Sequence, residues 1–288
     1  MGNIMYGNTV STVIKETLKQ EITSYIDKGL RKPTLAILLV GYDDSSISYV
    51  KSITKGCDGV GIDVKLVTFE ETVSQETLVQ EIDVLNKDQS VDGIIIQMPL
   101  PKHINTQAVI ECMDPDKDVD GLTSRNVAKM YMNQKGMIPC TPKAVMRMLK
   151  EYHVELAGKE VIVIGRSHSV GRPVAQLLVN ENATVTICHS KTKNLAEVCK
   201  RAEILVVAIG RPRYVKADWV QSGAIVVDVG VNVDENGKLC GDVDFDAILE
   251  KVTYVTPVPR GVGPVTTTML LENVVESFKG RMKEWNTI

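Results

Sequence analysis

At 288 residues, 44% hydrophobic and with a formal net charge of −3, the chain is long enough to bury two cores. Its balanced charge, without a basic stripe or aromatic-interleaved Arg/Lys patch, argues against a nucleic-acid partner. No run of about 18 apolar residues exists to span a membrane, and Met1 to Val10 lacks an apolar signal core.

The cysteines (Cys57, Cys112, Cys140, Cys188, Cys199 and Cys240) form no Cys-x-x-Cys pair, and the four histidines fall at no ligand spacing. The expectation is reduced, mostly buried thiols in a cytoplasmic protein, and no metal site.

Val10, Ile14, Leu18, Ile22 and Ile26 recur every four residues and predict an amphipathic opening helix ending at Gly29. Leu35 to Val40 reads as a buried strand, Tyr49 to Val60 as a helix closed by Gly61, and Val64 to Phe69 as a second strand. Gln75 to Asn86 follows as a helix with Leu78, Val79, Ile82 and Leu85 on its apolar face. Val91 to Gln97 is the next strand, stopped by Pro99 and Pro101. This alternation predicts a parallel α/β sheet.

A second α/β series begins near Pro139, with strands at Val161 to Ile164, Thr184 to Cys188, Ile204 to Ile209 and Ala224 to Val229. Their short β-branched runs are those of strands covered on both faces. Thr267 to Met282 has a helical pattern.

Within that series, Val161 to Pro173 reads as strand, glycine-bounded loop and helix start, with Gly165 and Gly171 at the loop and Pro173 in the first helical turn. Free backbone N–H groups at such a turn can hold a pyrophosphate. The segment is not a G-x-G-x-x-G, and an ordinary strand-to-helix turn is the competing reading. NAD-binding folds place a carboxylate at the end of the next strand. Here that strand ends Cys188-His189-Ser190-Lys191-Thr192, with no acid. Ser190, Lys191 and Arg166 would welcome a 2′-phosphate, which favours NADP; the alternative is that both cations are solvated surface charges.

Two local motifs fail. Asp116-Lys117-Asp118-Val119-Asp120-Gly121 imitates the start of a calcium loop, but its twelfth position is Val127 rather than a bidentate Glu. Gly165-Arg166-Ser167-His168-Ser169 imitates a nucleophile elbow without its closing glycine.

A wider set of segments carries a resemblance. Tyr49-Val50…Lys55…Gly61-Ile62, Gln97-Met98-Pro99-Leu100-Pro101 and Asp116 through Ser124 come first. Pro139-Cys140-Thr141-Pro142, Gly165-Arg166-Ser167 with Val170-Gly171-Arg172-Pro173, and Cys188 through Thr192 follow. Gly210-Arg211-Pro212 and Thr256-Pro257-Val258-Pro259…Gly261-Val262-Gly263-Pro264 complete the set. In this order, over nearly the whole chain, they resemble the bifunctional methylenetetrahydrofolate dehydrogenase/cyclohydrolase (FolD) family.

The resemblance implies two α/β domains flanking a cleft, the second a Rossmann-type parallel-sheet NADP-binding domain. Residues 1–121 plus 267–288 would form the folate-binding catalytic domain, the last segment crossing back to pack on it, and residues 139–265 the NADP-binding domain. The implied chemistry is oxidation of 5,10-methylenetetrahydrofolate to the 5,10-methenyl form with NADP⁺, then hydration to 10-formyltetrahydrofolate, by a homodimer.

By position, Tyr49 would line the folate cleft, Gln97 would support the reacting centre and Asp120 would accept from the pterin ring N–H groups. Pro99, Leu100, Pro259 and Gly261 would border the cleft. Arg166 and Ser190 would hold the 2′-phosphate, with Gly165, Ser167 and Gly171 forming the cofactor turn.

Three positions depart from the family pattern. Ile53 replaces the first lysine of Tyr-Val-x-x-Lys-x-Lys, the residue that serves hydrolysis. Ala144 replaces a glycine after Pro139-Cys140-Thr141-Pro142. Arg260 replaces a glycine, so either the position never needed positive φ or the arginine crowds the site.

Hydride transfer asks mainly for alignment, whereas hydrolysis needs proton traffic that a lysine of depressed pKa supplies. Lys51 and Lys55 lie two residues either side of Ile53, roughly 200° around the helix. The resemblance, less this lysine, implies a dehydrogenase with cyclohydrolase activity absent or strongly reduced. The alternatives are a bifunctional enzyme in which Lys55 substitutes through helix distortion, and a non-catalytic folate- or nucleotide-binding protein.

Overall fold

The apolar runs assemble into two separate parallel sheets. The computed structural model describes residues 2–285, with side chains through residue 282. In chain order the first half contains β1 (Asn3–Ile4), α1 (Gly7–Asp27), β2 (Thr34–Val40), α2 (Asp44–Val60), β3 (Asp63–Phe69), α3 (Gln75–Lys87), β4 (Gly93–Ile96), α4 (Thr106–Ile110) and α5 (Ser124–Tyr131). Then come α6 (Cys140–Glu151), β5 (Glu160–Ile164), α7 (Gly171–Asn180), β6 (Thr184–Cys188), α8 (Leu195–Cys199), β7 (Ile204–Val207) and β8 (Ile225–Asp228). The hairpin β9 (Asn232–Val233) and β10 (Leu239–Cys240), α9 (Phe245–Ile248), β11 (Tyr254–Val255) and α10 (Val262–Trp285) finish the order.

The chain divides into two units, Met1–Thr12 with Pro139–Thr266, and Val13–Ile138 with Thr267–Ile288; residues 1 and 286–288 of the expected division lie outside the described residues. That division differs from the expected one at the amino end. β1 pairs in parallel with β11, Asn3 beside Tyr254 and Ile4 beside Val255, so the first residues belong to the larger sheet. Residues 122–138, outside both expected domains, group with Val13–Ile138.

The sheet of the Val13–Ile138 unit has order β3-β2-β4, all parallel. Its central strand β2 is buried from Leu35 to Val40, which is why that run shows no polar alternation. α2 starts five residues before the predicted Tyr49, because Asp43 accepts from the Ser46 N–H and caps it. It ends at Gly61, whose φ of 91° forms a left-handed cap. The other sheet has order β1-β11-β8-β7-β5-β6. β6 lies at its edge and is half exposed, with Ile187 at 42%. The expectation that all these strands are covered on both faces fails there, since an edge strand has a neighbour on one side only. Ala144 sits buried inside α6, where alanine is the better helix former than glycine.

α10 belongs to the Val13–Ile138 unit from Thr267 onward, tied by buried side chains. Asn273 Nδ2 donates to the carbonyls of Val119 and Ile138, and Ser277 Oγ donates to those of Asp92 and Asp116. The same loop turns inward at Lys117, which is fully buried. Its Nζ donates to the carbonyls of Leu85, Asn86 and Asp88 at 2.8, 2.7 and 2.8 Å, groups that the end of α3 leaves without helical partners. Burial lowers the Lys117 pKa to about 8; the ammonium form has one N–H for each of the three carbonyls. Lys117→Met should therefore cost about 3 kcal/mol or more by stranding those carbonyls, measured by urea denaturation; a loss under about 1 kcal/mol would refute the capping role.

Candidate active site

In the β3-β2-β4 sheet β2 connects onward to β3 on one side, and the chain then crosses to β4 on the other side of β2, placing a topological switch point at the carboxyl ends of β2 and β4, where α/β folds bind ligands. Asp43 to Ser46 follow β2 there, and Gln97 follows β4, its N–H donating to the Leu38 carbonyl at 2.8 Å. Gln97 Nε2 donates to the Met98 carbonyl at 2.8 Å and to Ser46 Oγ at 3.4 Å. The side chain is thereby oriented from its own strand end and from the first turn of α2. Asp43, which caps α2, is held down to about 2 by its bonds from Ser45 and Ser46.

Tyr49 lies one turn further along α2 and is 40% exposed. Ile53 is 0% exposed and shares the buried face of α2 with Ser46, Val50, Cys57 and Val60. Burial pushes the Cys57 thiol up to about 12, so the turn after Ile53 is a dry environment. Lys51 and Lys55 are exposed, and α2 is continuous from Asp44 to Val60.

Asp120 is half-buried in the loop after Asp118. Asp118 organises that loop: its carboxylate accepts from the N–H groups of Leu122 and Thr123 and from Asn126 Nδ2. Among the described residues no group of three or more His, Cys, Asp or Glu side chains is placed to hold a metal ion. Pro99 is exposed after a cis Met98-Pro99 bond. The Leu100 side chain belongs to the core cluster that includes Ile96, Ile104 and Ile110, where burial removes its apolar surface from water.

In the six-stranded sheet the switch point falls between β5 and β7. Gly165 has φ +127°, and a Cβ there would lie 2.2 Å from the Ala208 carbonyl oxygen. A Cβ at Gly171 would lie 2.3 Å from the Gly165 oxygen. Both glycines are needed for this close turn. Ser167 Oγ accepts from the N–H groups of Val170 and Gly171 at 3.1 and 3.2 Å. Two backbone N–H groups at the start of α7 are thus already paired within the turn.

A cavity of about 280 Å³ opens at this edge, lined by Gly165, Arg166, His189, Ser190, Ile209 and Arg211 among others. Its lining contains two guanidinium groups and no carboxylate. The turn carrying Ser190 is self-braced, since His189 N–H donates to Thr192 Oγ1 and Lys191 N–H donates to His189 Nδ1. Lys191 is not in the lining; the second cation is Arg211. Its motif, Gly210-Arg211-Pro212, is visible in sequence, but only folding brings it beside Arg166.

Pro259 and Gly261 belong to the unit that contains this cavity, and Tyr49, Gln97 and Asp120 to the other. Pro259 and Arg260 line a separate cavity of about 450 Å³ with Tyr6 and Asp228. Arg260 has φ +79°, so the reading that the position never needed positive φ fails, and arginine adopts that conformation under strain. A Cβ at Gly261 would lie 2.3 Å from the Pro257 carbonyl oxygen.

Two buried acids have no signal in the sequence. Asp228 accepts from the N–H groups of Gly230, Asp242 and Val243. Burial, opposed by these donors and reinforced by the charge of Asp242, pushes the Asp228 carboxyl up to about 7.

Comparison with known proteins gives a consistent set of matches. The family model "Tetrahydrofolate dehydrogenase/cyclohydrolase, catalytic domain" matches residues 5–120. The corresponding "NAD(P)-binding domain" matches residues 139–282. The bifunctional protein FolD of Bacillus cytotoxicus is 52% identical over 276 residues, 96% of each chain. The FolD structure from Campylobacter jejuni superimposes with a TM-score of 0.96 at 43% identity, covering 98% of this chain and 100% of that one. The Trypanosoma brucei FolD structure, complexed with NADP cofactor and inhibitor, does so at 0.92 and 36% identity, covering 96% and 97%.

Arg260→Gly should raise stability by up to about 1 kcal/mol, relief of the left-handed strain being partly offset by a more flexible unfolded chain; unchanged or lower stability in a thermal melt would contradict that strain. Because the Asp228 pKa is raised on folding, its stabilising contribution is full below about pH 4 and is lost as pH rises through about 7. The stability gap between the parent chain and Asp228→Asn should widen toward acid, by at most about 1.4 kcal/mol per pH unit. Urea melts at pH 5, 6, 7 and 8 check this, and a gap independent of pH would exclude it.

Proposed function

The chain belongs to the tetrahydrofolate dehydrogenase/cyclohydrolase family, and on that premise we propose that it oxidises 5,10-methylenetetrahydrofolate to the 5,10-methenyl form with NADP⁺ while having lost most or all of the cyclohydrolase activity. The observation that carries the second half is Ile53: a fully buried isoleucine on an unbroken helix, with both neighbouring lysines exposed.

NADP⁺, when bound, supplies the hydride acceptor. The residues of the 280 Å³ cavity fit its 2′-phosphate: Arg166 and Arg211 offer charge-assisted donors, Ser190 a hydroxyl, and no acid opposes them. The tight turn, in which a Cβ at Gly165 or Gly171 would strike the Ala208 or Gly165 carbonyl oxygen, places Gly165 in the cavity lining. On the folate side, the amide of Gln97 is braced from two directions, as a group that fixes a reacting centre must be. Tyr49 supplies an exposed ring, and Asp120 an acceptor for the pterin N–H groups.

Hydrolysis differs because water must give up a proton and a C–N bond must then break. At position 53 this chain offers a hydrocarbon in dry surroundings, which can neither take nor return that proton. The missing general acid–base contribution is typically worth ~10²–10⁴-fold. A second reading, in which both activities persist, draws on the relatives' name of bifunctional protein. We also propose a cytoplasmic homodimer, a state implied by the family resemblance; the six free cysteines suit that compartment, and light scattering would check the dimer.

Both half-reactions measured on one preparation test the proposal. We expect NADPH formation from methylenetetrahydrofolate, and methenyltetrahydrofolate hydrolysis no faster than in buffer, with Ile53→Lys raising the hydrolytic rate of the folded protein. Hydrolysis well above the buffer rate in the unaltered chain would overturn the loss of cyclohydrolase, and failure to form NADPH would overturn the dehydrogenase reading.

A further inference from the structure

Asp242 is fully buried and lies under the loop that forms one wall of the dinucleotide cavity. Its Oδ2 accepts from the N–H groups of Ile209 and Gly210 at 2.7 and 3.1 Å, and its Oδ1 accepts from the Arg211 N–H at 2.7 Å and from Asn232 Nδ2 at 2.9 Å. Three successive backbone N–H groups with a left-handed residue among them, here Gly210 at φ +64°, form the concave nest that elsewhere binds anions. In this chain the nest is filled from behind by the protein's own carboxylate. No ligand phosphate can use those N–H groups, and the loop is fixed by three hydrogen bonds at its base.

What the loop presents to the cavity is the Arg211 side chain. Its guanidinium lies 5.2 Å from the centroid of the Tyr214 ring, a cation–π contact that holds the charge without neutralising it. Among the described residues no carboxylate is within ion-pair distance of Arg211 or of Arg166, the other guanidinium in the lining. Space around Asp242 is equally constrained: a Cβ at Gly230 would lie 2.2 Å from its Cγ.

We propose that Arg211 is a second cation for the 2′-phosphate and therefore a determinant of NADP over NAD selectivity, and that Asp242 is the positioning residue that holds it there. This rests on the cavity being the dinucleotide site. A carboxylate at the base of the loop serves selectivity because a guanidinium rewards a phosphate only when its direction is set beforehand. The Asp242 charge is spent on backbone donors facing away from the cavity, so it does not repel the phosphate in front.

Calorimetric titration of the whole chain with NADP⁺ and with NAD⁺ tests this without any turnover. The unaltered chain should bind NADP⁺ more tightly. Arg211→Gln, at an exposed position, should cut the ratio of NADP⁺ to NAD⁺ affinity at least tenfold while leaving NAD⁺ affinity within about threefold. Asp242→Asn, which turns an NH₂ group toward N–H donors, should lower the same ratio. Tyr214→Leu, also at an exposed position, should lower it about two- to fivefold, the worth of an exposed cation–π contact, and serves if Asp242→Asn does not fold. An unchanged ratio in Arg211→Gln would overturn the selectivity role. Equal losses for both dinucleotides in Asp242→Asn, or an unchanged ratio in Tyr214→Leu, would overturn the positioning role. Binding of neither dinucleotide by the unaltered chain would instead overturn the assignment of the cavity itself, and this inference with it.

Discussion

Two neighbouring parallel strands whose onward connections run to opposite edges leave a crevice at the carboxyl edge of a sheet that the fold cannot fill from within. Both sheets of this protein have one, between β2 and β4 and between β5 and β7. The candidate groups gather at these two edges: Gln97 and the start of α2 at one, Gly165, Arg166 and the Gly210-Arg211 loop at the other. The helices that would otherwise cover the strand ends begin there, which brings backbone N–H groups and short polar side chains to the same place.

The loops of both units are fixed by buried polar groups that a hydrophobic reading of the chain ignores. Lys117 fastens the end of α3, Asp118 fastens the loop carrying Asp120, and Asp242 fastens the loop carrying Arg211. Each is a charge removed from water and surrounded by backbone dipoles, an arrangement that costs heavily if any partner is missing and so permits only one loop conformation. Rigidity is what such sites need, since alignment is the main contribution a protein makes to hydride transfer.

The proposed loss of hydrolysis turns on the packing of Ile53. The buried face of α2 spans Ser46, Val50, Ile53, Cys57 and Val60, a spacing an isoleucine joins with ordinary packing and no strain. A lysine in the same dry place would have its charge disfavoured and its basicity tuned toward neutrality. Isoleucine at this position serves core packing and carries no titrating group.

Much of the fold is legible in the chain. Four-residue periodicity located α1, an unbroken apolar run located β2, and the absence of an acid after Cys188 pointed to a 2′-phosphate. Those signals are local, arising from helix and strand repeats and from side-chain chemistry within a few residues. The start of α2 was missed because it depends on a cap at Asp43 rather than on apolar spacing.

The amino acids by themselves thus determined the alternation of elements, the glycine turn, the family pattern and the loss of the lysine. Tertiary structure alone decided that β1 joins the sheet of β11, that Arg260 must adopt positive φ, and that Asp242 lies beneath Arg211. The pairings among these involve residues 31 to about 250 positions apart, and no local repeat encodes which buried carboxylate will meet which distant N–H.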